Sequence, residues 1–296
     1  MTALPGAARS FGSLIGFALA TLVAGTTWAQ GELPWLSTRS IGMGGALRGA
    51  ATGTAALSLN PSGISLARSY VIEGGYQFLR GSDGHVASLA IADSTSGFNI
   101  GGGIYYNYVT ASPSGAGERG RHEAGAALSF PFGDKVSLGG TVRYLRIRRE
   151  METVLKPKTN GFTFDAGLTV RPVSFVSIGL AGRGLRDMED PQAPLTLGGG
   201  LALTPRPELV VAVDAYNVQV APASYLVISG GAEYTIASML SVRLGGGRMD
   251  DEAFGSAGLS VVSEVGAVDL GGQMAFSGAG SSLYLGVSGR LFVPTQ

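Results

Sequence analysis

Hydrolytic or acyl-transfer chemistry needs a nucleophile, a base and a group that orients the base. This sequence has two candidate bases, His85 and His122. "GSDGH" puts Asp83 close to His85 and "GFTFDAG" offers Asp165, but no spacing ties either acid to a histidine. No serine occupies a Gly-x-Ser-x-Gly elbow ahead of a helix. Two histidines and no cysteine also leave too few ligands for a zinc or thiolate site. The expectation is a protein that is not an enzyme, with no catalytic residues, no metal and no cofactor.

Glycine runs are the next candidates. Gly101-Gly102-Gly103, Gly198-Gly199-Gly200 and Gly245-Gly246-Gly247 lack the following helix and the Lys-Ser/Thr of a phosphate loop. Each sits inside a strand pattern, where glycine weakens the ladder and permits bulges or a close backbone approach. Gly101, Gly102 and Gly103 therefore read either as a site for a bulge or as room for another segment. The third candidate set carries charge: Glu73, Glu123, Arg143, Asp165, Arg183, Asp214, Glu233, Arg243, Asp269 and Arg290. Both signs are present, so these side chains serve either as a salt-bridge network or as a polar path for a hydrophilic solute.

The elements that must position them follow from a period of two. "GFTFDAGLTV" alternates Phe162, Phe164, Ala166, Leu168 and Val170 with Thr163, Asp165, Gly167 and Thr169, one apolar face against one polar face. The same alternation in other segments predicts fourteen strands at about 68–80, 84–93, 97–110, 121–131, 135–149, 160–171, 174–185, 194–204, 208–218, 225–236, 239–249, 253–263, 266–277 and 281–293. Short turns such as Pro131-Phe132-Gly133-Asp134 alternate with longer polar connectors, the longest expected between Thr110 and Arg121. Each of the ten charges falls on the polar face of a different strand. A soluble β-sandwich explains the alternation equally well, because period two says only that one face is buried. The polar faces decide against it. They carry almost no lysine, and tyrosines and phenylalanines such as Tyr76, Tyr106, Phe130 and Tyr234 lie near strand ends, as in aromatic girdles. The fold class expected is all-β, a transmembrane antiparallel barrel of about fourteen strands.

Composition agrees with a membrane environment. The chain has 48 glycines and 14% charged residues in 296, with a mean hydropathy of +0.26. Its 21 basic and 21 acidic residues provide no basic excess for nucleic acid. Residues 1–29 read as a signal peptide: Arg9, the apolar run "FGSLIGFALATLVAG", and Thr27-Trp28-Ala29 with cleavage after Ala29. A single membrane anchor is the alternative for that run. Residues 30–67 follow, with "LSTRSIGMGGALRGAATGTAALSLNPSGIS" too poor in apolar bulk to build its own core. Fourteen strands enclose a lumen too wide for the wall's own side chains to fill, since about eight already suffice for a packed interior. This segment is therefore expected to enter the barrel of residues 68–296 as a hatch. Arg39 and Arg48 would latch it against Glu73, Asp165 or Glu233.

The string "RSIGMGGALRGAATGTAALSLNPSGIS" resembles the N-terminal signature of the FadL-like outer-membrane proteins. The match lies at Gly42, Met43, Gly44, Gly45, Ala46, Asn60, Pro61 and Gly63, with Ser62 in place of the usual alanine. The resemblance implies a hatch-closed barrel in the bacterial outer membrane, with outer-membrane lipids around it, a hydrophobic small molecule, fatty-acid or hydrocarbon-like, as its ligand, and a candidate lateral opening at Gly101, Gly102 and Gly103 in the third strand. It also implies an alternative, because a PorV-like branch with the same signature holds secretion-system or surface proteins. A structural outer-membrane protein is the third reading.

Overall fold

The computed structural model describes residues 36–80, 82–96, 100–112, 118–149, 158–220, 223–277 and 280–294. The expected signal peptide, its cleavage point and residues 30–35 lie outside the described residues. Fourteen strands follow in order: β1 (Tyr70–Arg80), β2 (Gly84–Asp93), β3 (Gly101–Ala111), β4 (Arg119–Phe132), β5 (Val136–Arg149), β6 (Lys158–Val173), β7 (Val176–Arg183), β8 (Leu195–Arg206), β9 (Leu209–Val220), β10 (Ala223–Ile236), β11 (Leu240–Met249), β12 (Glu252–Val262), β13 (Gly266–Ser277) and β14 (Gly280–Phe292). Each pairs antiparallel with its sequence neighbours, and β1 pairs with β14 from Val71↔Phe292 to Arg80↔Leu283. The sheet thus closes into a barrel and has no edge to protect.

The period of two separates the faces. In β5, Ser137, Thr141, Arg143, Leu145 and Ile147 are buried, while Leu138, Val142 and Tyr144 are exposed on the outer wall. Leu89, Ile104, Leu128, Phe164, Leu180, Val213, Ile228, Leu244, Leu270 and Leu285 continue that apolar exterior around the barrel. A continuous apolar wall of this extent is stable against lipid hydrocarbon rather than water. Both chain ends of the barrel lie at the turn end, which carries the connectors after β2, β4, β6, β8, β10 and β12; the opposite, loop end carries 184–194, the longest connector.

β3 begins at Gly101 rather than at 97, and β7 is shorter than expected. Residues 174–185 were expected to form the seventh strand, but β7 stops at Arg183 because Gly184 turns the chain at φ +72°. Pairing between β6 and β7 ends at Ala166↔Gly182, and the upper part of β6 is met instead by the connector, with Leu185 N donating to Phe164 O at 2.9 Å. The longest connector is consequently 184–194 rather than the one after Thr110, which spans only 112–118.

Ahead of β1, the segment beginning at Leu36 forms two short helices, α1 (Thr38–Gly42) and α2 (Gly53–Leu59), and a 3-10 turn, Pro61–Leu66. Ser37 caps α1, its Oγ accepting from Ser40 N at 3.3 Å. Ile41, Met43, Leu47, Leu57 and Ile64 from this segment share one buried cluster with Val86, Ala90, Tyr105, Ala127, Ala202, Ala212 and Tyr284 of the wall. These wall residues come from β2, β3, β4, β8, β9 and β14, so the segment lies inside the barrel.

Candidate functional site

Small residues let the segment's backbone touch the wall. A Cβ on Gly139 would stand 2.3 Å from Ser62 N, one on Gly179 2.1 Å from Arg48 O, one on Gly231 2.4 Å from Met43 O, and one on Gly245 2.5 Å from Met43 C. All are impossible contacts, so the wall is glycine where the backbone presses on it. The segment reciprocates: Gly44 and Gly45 turn the chain at φ +66° and +79°, a region open to glycine. At Gly63 a Cβ would meet Ala51 O at 2.0 Å.

Gly101, Gly102 and Gly103 belong to the same pattern. They are paired to β4 through Ser129, Leu128 and Ala127, and Gly102 and Gly103 also pair with Asp93 and Ala92 of β2. A Cβ on Gly101 would fall 2.8 Å from Ile64 Cγ2, and one on Gly103 2.8 Å from Leu57 Cδ2. The structure places these two against the segment, with Gly102 turned to the outer face against Leu128.

Asn60 is the polar centre of the segment and is fully buried. Its Oδ1 accepts from Ser62 N at 3.3 Å and from Ser62 Oγ at 2.7 Å, capping the 3-10 turn, with Pro61 at the first position where no donor is needed. Its Nδ2 lies 2.9 Å from Arg48 O and 3.2 Å from Thr169 Oγ1, tying two parts of the segment to β6. Ser129 and Ser137 both donate to Ser62 O at 2.8 Å. Such buried polar groups are costly unless every one finds a partner.

The ten charges all face inward, eight of them in two networks and two, Asp214 and Glu73, each held by the segment. On one side Arg243 is the hub: its Nε is 2.5 Å from Glu233, its Nη1 3.1 Å from Asp269, and Arg290 reaches Asp269 at 2.7 Å. Arg39 of α1 joins this group through a two-pronged contact with Glu233, at 2.9 Å and 2.7 Å. Arg48 meets Asp214 rather than Glu73, Asp165 or Glu233. Both its backbone N and its Nη1 donate to Asp214 at 3.0 Å, and its guanidinium lies 3.7 Å from the Tyr216 ring centroid. Glu73 accepts from Thr54 Oγ1 of α2. On the far side Glu123 is the hub, with Arg183 at 2.6 Å, Arg143 at 3.3 Å, Arg121 at 3.7 Å and Tyr105 Oη at 2.9 Å. Arg143 continues to Asp165 at 2.8 Å, and Asp165 also takes the N–H of Gly184, where β7 ends.

Arg121, Tyr105 and Tyr216 were missed by the sequence reading. The signal for Arg121 was present, since it shares parity with Glu123 two residues on. Both histidines face outward instead. His85 Nδ1 lies 2.5 Å from Tyr76 Oη and His122 Nδ1 2.7 Å from Tyr106 Oη, while Asp165 points into the lumen.

Between the segment and the loop end lies a cavity of about 100 Å³, several times what one water molecule requires. Arg48, Arg121, Arg143, Arg183 and Glu123 line one part of it, and Tyr216, Val218, Tyr225, Val227, Met249 and Phe254 another. One part is therefore cationic and one apolar. Glu123 Oε2, which is buried here, accepts no hydrogen bond among the described residues.

No family model matches the sequence, and no curated protein matches it. Solved structures do match in fold. The Pseudomonas putida toluene transporter TodX superposes with a TM-score of 0.67 at 12% identity, covering 90% of this chain and 100% of that one. The Ralstonia pickettii toluene transporter TbuX gives 0.65 at 12%, covering 89% and 99%. A Pseudomonas aeruginosa FadL homologue gives 0.63 at 12%, covering 91% and 99%. At these identities the likeness is one of fold: the chain has the fourteen-stranded architecture of the FadL-like barrels.

Proposed function

We propose that this protein is an outer-membrane barrel, exported by its first 29 residues, that passes hydrophobic small molecules through a lumen closed by residues 30–67 acting as a hatch. The observation that carries the reading is the two-sided cavity above the segment. An aqueous pore would need a continuous polar path, whereas here the ion pairs are spent on one another and on the hatch. An apolar wall of Tyr216, Val218, Tyr225, Val227, Met249 and Phe254 suits a hydrocarbon body. Arg48, Arg121, Arg143 and Arg183 at the cavity surface share three carboxylates, Glu123, Asp165 and Asp214, and the one positive charge left over suits a carboxylate or other anionic head, so a fatty-acid-like amphiphile fits both parts. Structural neighbours described as toluene transporters and a FadL homologue support the same class of cargo. Both histidines lie on the outer face, bonded to Tyr76 and Tyr106 and away from the lumen acids.

Native mass spectrometry of the barrel extracted gently from its own outer membrane tests this. An apolar or amphipathic molecule that accompanies the protein, and is lost when Phe254 is changed to Arg, is the expected result. An empty lumen with a surface or secretion-system protein attached would overturn it.

A further inference from the structure

Outside the lumen, the wall carries one concentrated patch of positive charge. On β4, β5 and β6 the outward positions nearest the loop end form cross-strand rows: Ala124, Tyr144 and Phe162; then His122, Arg146 and Asn160; then Gly120, Arg148 and Lys158. The first row is apolar, with the Tyr144 and Phe162 rings 5.2 Å apart. The next two rows stand about 7 Å and about 14 Å further along the strands. Arg146, Arg148 and Lys158 are exposed, and among the described residues none of them has an acidic partner. Glu118, the acid of matching parity on β4's approach, is exposed. His122 is turned to the girdle, bonded to Tyr106 and packed on Tyr108 at 4.8 Å between centroids.

Like charges set directly opposite in a ladder repel, and Arg148 faces Lys158 across the β5–β6 pair. The placement is favourable once an anion bridges them. We propose that this patch binds the phosphate groups of an anionic glycolipid in the outer leaflet. Its acyl chains would lie on the apolar rows around Leu128, Tyr144 and Phe162, and its phosphates at the height of Arg146, Arg148 and Lys158, where arginine offers paired donors. A soluble phosphate would use the cationic rows alone and gain nothing from the apolar wall beneath them. The site rests on the reading of the chain as an outer-membrane barrel with its loop end outward.

Exchange of the full barrel into zwitterionic micelles doped with diphosphorylated lipid A, followed by native mass spectrometry, counts bound glycolipid. The triple variant Arg146→Gln, Arg148→Gln, Lys158→Gln is expected to bind roughly a hundred-fold more weakly. Arg206→Gln, an exposed arginine at the turn end, is expected to bind as the parent does. Dephosphorylated lipid A should bind no better to the parent than the intact lipid binds to the triple variant, and inorganic pyrophosphate at equal concentration should not displace the lipid. Equal binding by the triple variant, or by the dephosphorylated lipid, overturns the site, and full displacement by pyrophosphate reassigns it to a soluble anion and overturns the lipid. Heat-dependent gel mobility separates the two layers of the argument. A chain that never folds into a bilayer contradicts the outer-membrane reading, whereas a folded barrel that binds no glycolipid contradicts this site alone.

Discussion

The lumen holds two charge networks made from the same chemistry with different neighbours. The Arg243 group, spanning β10, β11, β13 and β14, includes a cation from the segment inside the barrel, Arg39, so breaking it disturbs both the wall and that segment. The Glu123 group, spanning β3 to β7, takes no charged side chain from the segment among the described residues; it meets the segment where Arg183 donates to Ser58 O at 3.2 Å and where Tyr105 packs, and it borders the cavity. Identical ion pairs can therefore serve as a latch on one side and as a recognition surface on the other. What distinguishes them is that one network takes a charged side chain, Arg39, from the segment and the other faces the cavity.

Three substitutions sharpen that contrast. Arg243→Leu has the largest expected effect, because it leaves Glu233 and Asp269 buried with one cation each. Loss of about 3 kcal/mol in urea unfolding from vesicles is expected, together with brief openings in conductance traces. Arg39→Gln comes next. It removes the hatch's own contribution and keeps the wall's pairs, so about 1–2 kcal/mol is expected, with openings as frequent as in Arg243→Leu despite the smaller loss of stability. Glu123→Gln should have the smallest effect on closure. It keeps the shape and leaves Arg121, Arg143 and Arg183 around the cavity, so a fluorescent fatty acid should bind several-fold more tightly, a change on the order of 1 kcal/mol, while conductance stays closed. If Glu123→Gln opened the pore and Arg39→Gln did not, the two networks would have been assigned the wrong way round.

The wall was legible in the sequence because a period of two is a local property: Asp165 must point away from Phe164 whatever the rest of the chain does. That is why all ten inward charges could be placed by parity. Their partners could not, because pairing depends on where strands far apart in sequence meet and where the segment threads among them. Arg48 finds Asp214, 166 positions away, through its backbone N–H as well as its side chain, and no pattern in "GALRGAA" encodes that. The short helices of the segment were hidden for a related reason. Their glycines and alanines carry no amphipathic stripe, and their helical turns are fixed by the Ser37 cap, by Asn60 and by contact with the wall rather than by propensity. The early end of β7 was equally invisible, since "GRGLRDMED" reads as a strand end only once Gly184 is seen in the left-handed region.

The central claim is that residues 36–66 close the barrel. Single-channel recording in planar bilayers, comparing the intact protein with one lacking those residues, tests it most directly. The account predicts a silent intact barrel and a steady open conductance after the deletion. An intact protein that conducts from the start, at the level of the deletion variant, would contradict it and make the lumen charges the lining of a hydrophilic pore.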